Sequence, residues 1–471
     1  MSSNARTPSK TPKAMPYGGY YKTFTPKYDP ELTETGPSTP MGEYMRRSWH
    51  PVCLSEELGE VPKAIRILGE DLVAFRDRSG RVGVLHRHCS HRGTSLEFGI
   101  IQQEGIRCCY HGWVYNVDGR LLEAPAEPES SGLFESICQG AYPAFERHGL
   151  VFAYMGPPEE KPDFPEFDVY GRPDDNQLVA FSNIYPCNWL QVYENIMDHF
   201  HTALLHNNMT VDSVDEAMKA GLNFPDAFQD MPVMDWQRTR NGHGVAFVAA
   251  RRVNDEKVWI RMSEMIFPDL IQVSNLMSTA HEVRHTAACL TRWHTPVDDE
   301  NCILFGWRHF NDEIDPNEEG DPDGCGYDKI DFLDGQVERP YEVGQRAPGD
   351  WDAITNQRTI AVHEAENPGI SDRGVYLCRK LLRDLVRGNT GPDMARGMDG
   401  AGQTLQTFAS DTTIQAARLQ DNTADRKLMK DIGKKVFDII SDADACDTAD
   451  RRNYILGRLD ELDGPVRDAA Q

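Results

Sequence analysis

Two short loops, each pairing one cysteine with one histidine, constrain this chain more than any other feature of it. Cys89-x-His91 comes first, and after sixteen intervening residues Cys108-x-x-His111 follows. Two thiols and two imidazoles in paired loops suit zinc or iron. The order of the ligands separates the two metals. A structural zinc finger groups cysteine with cysteine and histidine with histidine, whereas each loop here carries one of each. A [2Fe–2S] centre with two thiolates on one iron and two imidazoles on the other takes one ligand for each iron from each loop. Neutral imidazoles donate less negative charge than thiolates, so such a centre sits at a higher potential than an all-thiolate one. It can accept electrons and still pass them on. Gly93, Gly112 and the Asp118-Gly119 turn suit backbone folded tightly over a cluster. Trp113 and Tyr115 are expected to shield one side of it.

The rest of the composition narrows the setting. Eleven cysteines, an odd number, are scattered through 471 residues. The first thirty residues are polar, without the apolar stretch of a signal peptide, and no apolar run reaches the ~20 residues that span a bilayer. A cytoplasmic chain with reduced thiols is therefore expected, in which clustered cysteines are metal ligands rather than disulfides. The net charge of −25 argues against a nucleic-acid partner, because a binding surface for phosphates needs lysine and arginine. A hydrophobic fraction of 39% is enough for sizeable cores.

The length predicts two or three units. Residues 1–40 are rich in proline, serine and threonine and are expected to form an extended arm. Residues 41–160 show short alternating segments with glycine and proline between them. Plausible strands lie at 64–68, 72–76, 82–85 and 150–154, so this unit is expected to be all-β. A proline-rich bridge (Pro157, Pro158, Pro162, Pro165) leads into residues 161–471. There a helix is expected over 188–207, strands at 245–249, 270–275, 286–293 and 303–308, an exposed acidic loop at 311–328, and helices at 377–386 and 424–440. The fold class is α+β: an all-β domain, then an antiparallel sheet surrounded by helices.

The second constellation lies on the expected helix. Asp198 and His201 are three apart and share a helical face. His206 lies five beyond His201, about 140° round an ideal helix, so joint ligation needs a local distortion. Three imidazoles and two carboxylates within thirteen residues are too dense for a merely amphipathic helix. Non-haem iron oxygenases use two histidines and one carboxylate on one side of the metal, leaving the other side open.

These motifs carry a family resemblance. Cys-x-His-Arg-Gly followed by Cys-x-x-His-Gly-Trp, the lead-in GPSTPMGEYMRRSWHP at 36–51, and Asp-x-x-His-x4-His resemble the Rieske non-haem iron aromatic ring-hydroxylating oxygenases. The match is to the oxygenase (alpha) subunit, in the phthalate-dioxygenase-like branch. The resemblance implies a Rieske [2Fe–2S] cluster on Cys89, His91, Cys108 and His111, and a mononuclear Fe(II) on His201 and His206. Asp198 would be a catalytic bridge joining His201 to a cluster histidine of a neighbouring subunit in a homotrimer. The third iron ligand would come from Asp350, shortly before a helix, with Asp352 and Glu342 as alternatives. Asn195 would lie near the metal without binding it. Cys109 stands where the family commonly has proline and is expected to be a bystander. His86 and His88 fall outside the pattern, and His199 is expected to pack.

By the same resemblance the chain is a terminal oxygenase that hydroxylates an aromatic substrate, an aromatic acid above all, or demethylates a methoxylated aromatic. No dinucleotide-binding fingerprint occurs, so electrons from NAD(P)H must arrive through a separate reductase, with or without a ferredoxin between them. Arg251 and Arg252 could clamp a carboxylate, although an alternating strand points only one inward. Trp259, Ile260, Met262, Phe267, Leu276, Met277 and Trp293 are candidates for apolar pocket surface. Two rival classes remain: a Rieske electron carrier, which leaves the last three hundred residues unexplained, and a zinc-stabilised binding protein.

Overall fold

In the computed structural model the described residues are 16–19, 26–128, 130–206, 228, 230–240, 242, 244–277, 279–331, 339–346, 348–389 and 404–468. Most of the first twenty-five residues of the expected arm thus lie outside them. Residues 26–40 fold back rather than trailing. Pro30–Thr33 forms a helical turn, for which a leading proline is suited because the first N–H of a helix has no partner to lose. Arg383 and Arg387, both in or just after the helix Arg373–Val386, pair with Glu31 at 3.0 and 2.6 Å and hold this turn in place.

The N-terminal unit is built from three small antiparallel sheets. One joins Trp49–Leu54, Leu150–Tyr154 and Ala144–Arg147. A second runs Lys63–Ile67, Glu70–Arg76, Val82–His86 and Ala141–Tyr142. The third, of Ile100–Ile101, Ile106–Arg107, Val114–Tyr115 and Leu121–Glu123, is made of very short strands. Such strands need close backbone approach. At Gly105, with φ +80°, an added Cβ would lie 1.8 Å from the carbonyl oxygen of Tyr115, so only glycine fits.

The second unit carries a nine-stranded sheet whose pairs are all antiparallel. Its order is Gln177–Tyr185, Asn301–Phe310, Leu290–Asp298, Leu270–Val273, Lys257–Ile266, Gly244–Arg252 and Val233–Arg238. Ser410–Gln415 and His285–Ala287 continue from the outer part of Lys257–Ile266. Side-chain alternation along Gly244–Arg252 divides two cores. Val245, Phe247 and Ala249 join the core that contains Trp189, Leu190 and Leu381. Ala246, Val248 and Ala250 face Met429, Ile432, Val436 and Phe437 of the helix Asn422–Asp442. Those four sit at helical spacing, so a single apolar stripe covers that face of the sheet.

Two expected elements are divided. The segment 286–293 is not one strand: His285–Ala287 pairs with Ser410–Gln415, whereas Leu290–Asp298 pairs with Leu270–Val273 and Asn301–Phe310. The helix expected over 188–207 is also broken, with consequences described below. The acidic stretch 311–328 is irregular, as expected, but it is tucked down by the buried side chain of Ile314. Among the described residues, no helix is long and apolar enough to cross a membrane.

Candidate metal centres

The two Cys/His loops close in the same way. Gly93 N–H donates to the Cys89 carbonyl at 2.8 Å, and Gly112 N–H donates to the Cys108 carbonyl at 3.1 Å. Both glycines have positive φ, +77° and +73°, the conformation this closure demands. The Cys89 and Cys108 side chains end up buried, while His91 and His111 are half-buried at the surface with ring centroids 4.5 Å apart. Trp113 stacks on His91 at 4.4 Å, nearly parallel. The Tyr115 hydroxyl reaches both Cys89 Sγ, at 3.2 Å, and Ser90 Oγ, at 2.9 Å. Tyr115 is therefore more than a shield: it makes a polar contact to the Cys89 sulfur.

The donor set fits a two-iron cluster. Burial, with the adjacent Cys108 adding to it, pushes the Cys89 thiol up, so a thiolate there needs a cation beside it. The thiols lie inward and the imidazoles outward, so a cluster held by this set would have its imidazole side toward the surface. Cys109 is exposed. His88 engages the Gly93 carbonyl at 3.0 Å, and His86 lies 3.3 Å from Glu70, so both are occupied elsewhere.

The second site depends on a break in its helix. Asn188 caps Trp189–Glu194 by accepting from Leu190 N–H at 3.1 Å. Asn195–Met197 then tightens to a single 3₁₀ turn, and Asp198 leaves the helix altogether, with φ −94° and ψ 90°. A new short helix begins at His201. The shared helical face expected for Asp198 and His201 does not form; their nearest side-chain atoms are 3.9 Å apart, beyond hydrogen-bond reach. The same break brings His201 and His206 together, their ring centroids 5.5 Å apart.

Asp350 completes the convergence. It opens the helix Asp350–Thr355, and its Oδ1 lies 3.4 Å from His201 Nε2 and 3.5 Å from His206 Nε2. One ligand atom from each of the three lies within 4.8 Å of the others, a span one ion can bridge. Asp350 Oδ1 is buried with no hydrogen-bond donor, an arrangement costly for a carboxylate unless a cation sits against it. Burial works to raise its pKa, but the imidazoles of His206 and His201, with Arg292, outweigh burial and hold it well below the usual carboxylate range. Asp352 instead caps its own helix through Gly349 N–H at 2.8 Å and pairs with Arg339. Glu342 points to solvent on the helix Tyr341–Arg346. Neither alternative joins the trio.

A cavity of about 90 Å³ opens beside these three residues. Of the apolar candidates, only Leu276 lines it; Trp259 and Trp293 belong to other aromatic clusters, and Ile260 and Met262 lie under the helix Asn422–Asp442. Strand alternation, which the sequence shows, does not say which face carries the cavity. His199 is in the wall too, stacked on Phe247 at 4.5 Å, and burial together with Arg251 and Arg261 keeps it neutral. Arg251 and Arg252 point to opposite faces, and neither lines the cavity. Arg252 pairs with Asp425 at 3.0 Å, and Arg251 donates to Thr202 Oγ1 at 2.7 Å. Sequence reasoning named Asn195 in this wall but missed Tyr185, Arg261 and Arg292. For Arg292 a signal existed: it is the one Lys, Arg, Asp or Glu between Leu290 and Val297.

Comparisons with known proteins agree on what kind of chain this is. Residues 48–143 match the family model described as Rieske [2Fe-2S] domain, and residues 153–318 match the one described as LigXa C-terminal domain like. The chain is 56% identical over 439 residues to the tert-butanol monooxygenase / tert-amyl alcohol desaturase oxygenase subunit of Aquincola tertiaricarbonis, covering 93% of each chain. It is 33% identical to the phenoxybenzoate dioxygenase subunit alpha of Ectopseudomonas oleovorans, over 78% of this chain and 87% of that one. Among solved structures, NdmA of Pseudomonas putida CBB5 with caffeine shares the fold, with a TM-score of 0.55 at 18% identity, over 77% of this chain and 96% of that one.

Proposed function

Because the chain belongs to the Rieske non-haem iron oxygenases, as a terminal oxygenase component, we propose that it hydroxylates a compact, branched alcohol held in the cavity beside His201, His206 and Asp350. The observation that carries this reading is the convergence of two imidazole nitrogens on one buried, donorless carboxylate oxygen in the wall of a small cavity. In this reading Cys89, His91, Cys108 and His111 hold the cluster, and His201, His206 and Asp350 hold the mononuclear iron. When bound, these groups supply electron storage and the activation of O2.

The chain's own residues do the rest. Asp350 turns its buried Oδ1 toward His201 Nε2 and His206 Nε2, where the three would hold the ion. The buried ion pair of Glu194 with Arg379, at 2.7 Å, ties the helix before Asp198 to the helix Arg373–Val386 and fixes where His201 begins. The neutral His199 and the apolar side chains of Val192, Leu276 and Leu290 exclude water from the reacting end of the cavity. Asp198, on the extended turn before His201 and about one-third exposed, is free to reach a histidine of another subunit. A homotrimer, with a cluster in one subunit serving the iron of the next, belongs to this reading. So do a separate NAD(P)H-dependent reductase, with or without a ferredoxin, and a cytoplasmic setting. The division into 1–40, 41–160 and 161–471 is part of it as well, supported by the spans of the two family models.

The likeness to the tert-butanol enzyme and the small cavity favour the alcohol. An aromatic acid is the second reading, favoured by Arg292 in the cavity wall and by the likeness to the phenoxybenzoate enzyme. The test is turnover of tert-butanol, benzoate and a methoxybenzoate with a surrogate reductase, read by product mass. Gain of one oxygen atom by tert-butanol supports the first reading. Oxidation of benzoate alone replaces it with the second, and formaldehyde from the methoxybenzoate would mark demethylation. Failure of all three with both metal sites loaded sinks the substrate reading.

A further inference from the structure

Buried guanidinium groups in this protein come with acceptors. Arg308 pairs with Asp331 at 3.1 Å, Arg379 with Glu194 and Glu366, and Arg252 with Asp425. Arg251 has Thr202 Oγ1 and the Asp230 carbonyl; Arg261 has the backbone carbonyls of Ser274 and Asn275 and lies 3.5 Å from Asp411. Arg292 is different. It sits in the strand Leu290–Asp298, between Ile271 and Gly306 on the neighbouring strands, where every residue from Leu290 to Pro296 other than Arg292 is buried. Arg251 and Arg261 also bury one guanidinium nitrogen without a partner, but each has acceptors at its others, whereas among the described residues Arg292 has its Nε buried without a partner and no carboxylate within ion-pair reach. The side chain ends in the wall of the cavity it shares with His201, His206 and Asp350.

The guanidinium feels the charge of Asp350, but no hydrogen bond to it is made among the described residues, so its donors are left open. Two neutral imidazoles and one carboxylate also leave a ferrous ion with net positive charge, so a second cation nearby makes the cavity electropositive. The remaining surface is mostly apolar, from Val192, Ile196, Val273, Leu276, Leu290 and Ile354. Tyr185, Asn195, Thr202 and Arg261 also reach the cavity, but Arg261 is engaged by the Ser274 and Asn275 carbonyls, so Arg292 is the cation left open to an oxygen acceptor on a hydrocarbon body.

We propose that Arg292 is the residue that orients the substrate, donating hydrogen bonds to an oxygen acceptor, the hydroxyl of an alcohol or the carboxylate of an acid. Holding that oxygen decides which carbon faces His201, His206 and Asp350, and so where oxidation occurs. This rests on the reading of the cavity as the substrate site. A hydroxyl accepts one such bond, whereas a carboxylate accepts two in parallel, so the two sources respond differently to lysine.

The test compares wild type with Arg292→Met and Arg292→Lys, each with iron and sulfide content and visible spectrum checked. Stability is read without substrate, and kinetics with tert-butanol and with benzoate. Methionine removes a side chain that makes no hydrogen bond in the fold, so Tm in the absence of substrate does not fall; a structural role for Arg292 would lower it. KM for the accepted probe rises at least about tenfold, kcat changes less, and a larger share of the O2 consumed appears as peroxide. Recovery of KM in Arg292→Lys identifies the alcohol, and its failure to recover identifies the acid. A wild type that turns over a probe while Arg292→Met keeps the same KM, coupling and product overturns the proposal and leaves the cavity reading standing. A wild type whose O2 uptake and Tm respond to neither probe overturns both.

Discussion

The two metal-binding regions were built by opposite strategies. The cluster site is local: both loops lie within one small unit, each closed by its own glycine with positive φ, Gly93 or Gly112. The mononuclear site is assembled across the fold, from a histidine that begins a short helix, a second just past its end, and an aspartate that begins another helix far along the chain. A local site needs only turn chemistry to form. An assembled one needs the whole second domain to place its parts, and its ligands stay costly, like the donorless Asp350 oxygen, until metal arrives. The cluster site should therefore tolerate damage to the second domain, whereas the iron site should register it.

Losing a ligand from the local site is the most severe way to probe this contrast. Cys108→Ser is expected to abolish the red-brown absorption and all turnover while the mononuclear iron remains, because the two sites share no residue. Loss of that iron as well, measured by metal analysis, would break the distinction between the regions. Asp198→Ala is expected next: both metal sites persist, and turnover falls by about 100-fold. Single-turnover reduction of the cluster followed by mixing with O2 and substrate would show a stalled transfer, and a normal rate would remove the bridging role.

The remaining two predictions concern support for the assembled site. Arg379→Met leaves Glu194 buried and unpaired, which costs about 3–5 kcal/mol. Denaturation should show this loss, with mononuclear iron retained less well than cluster iron. Equal loss of both would mean that the pair supports the whole molecule rather than the broken helix. Glu264→Gln gives the smallest effect, and only in its pH dependence. Burial raises the Glu264 carboxyl to about 8, while Phe408 N–H donates to it at 2.8 Å. A raised folded pKa means stability that is full below the ordinary glutamate pKa and lost as pH rises through about 8. The wild type should lose Tm progressively from about pH 5 to pH 8, and Glu264→Gln should flatten that slope. Identical slopes would show that Glu264 does not titrate there.

The same contrast explains what could be read from the chain. The order Cys89, His91, Cys108, His111 encodes a cluster by itself, because ligand spacing within a loop is a sequence property. His201 and His206 were legible as a dense pair, and the angular mismatch between them correctly required a distortion. Its form, a helix abandoned at Asp198, was not legible, since no proline or glycine marks it and the break depends on tertiary contacts such as the one from Trp236 Nε1 to the Met197 carbonyl at 3.1 Å. Asp350 was distinguishable from Asp352 only in three dimensions, where Asp352 is consumed as a cap. Arg251 and Arg252 attracted notice as a pair, yet Arg252 is taken up by Asp425 and Arg251 by Thr202 Oγ1 and the Asp230 carbonyl. The strand around Arg292 reads as core, and only the fold shows that this arginine ends in the cavity wall.

The most direct measurement is iron and acid-labile sulfide content, with the visible spectrum, for wild type and His206→Ala. A [2Fe–2S] cluster plus a separate mononuclear ion predicts three irons and two sulfides in the wild type. His206→Ala should then lose one iron, no sulfide and no colour. Retention of all the iron, or loss of sulfide along with it, would contradict the existence of two independent centres in this chain.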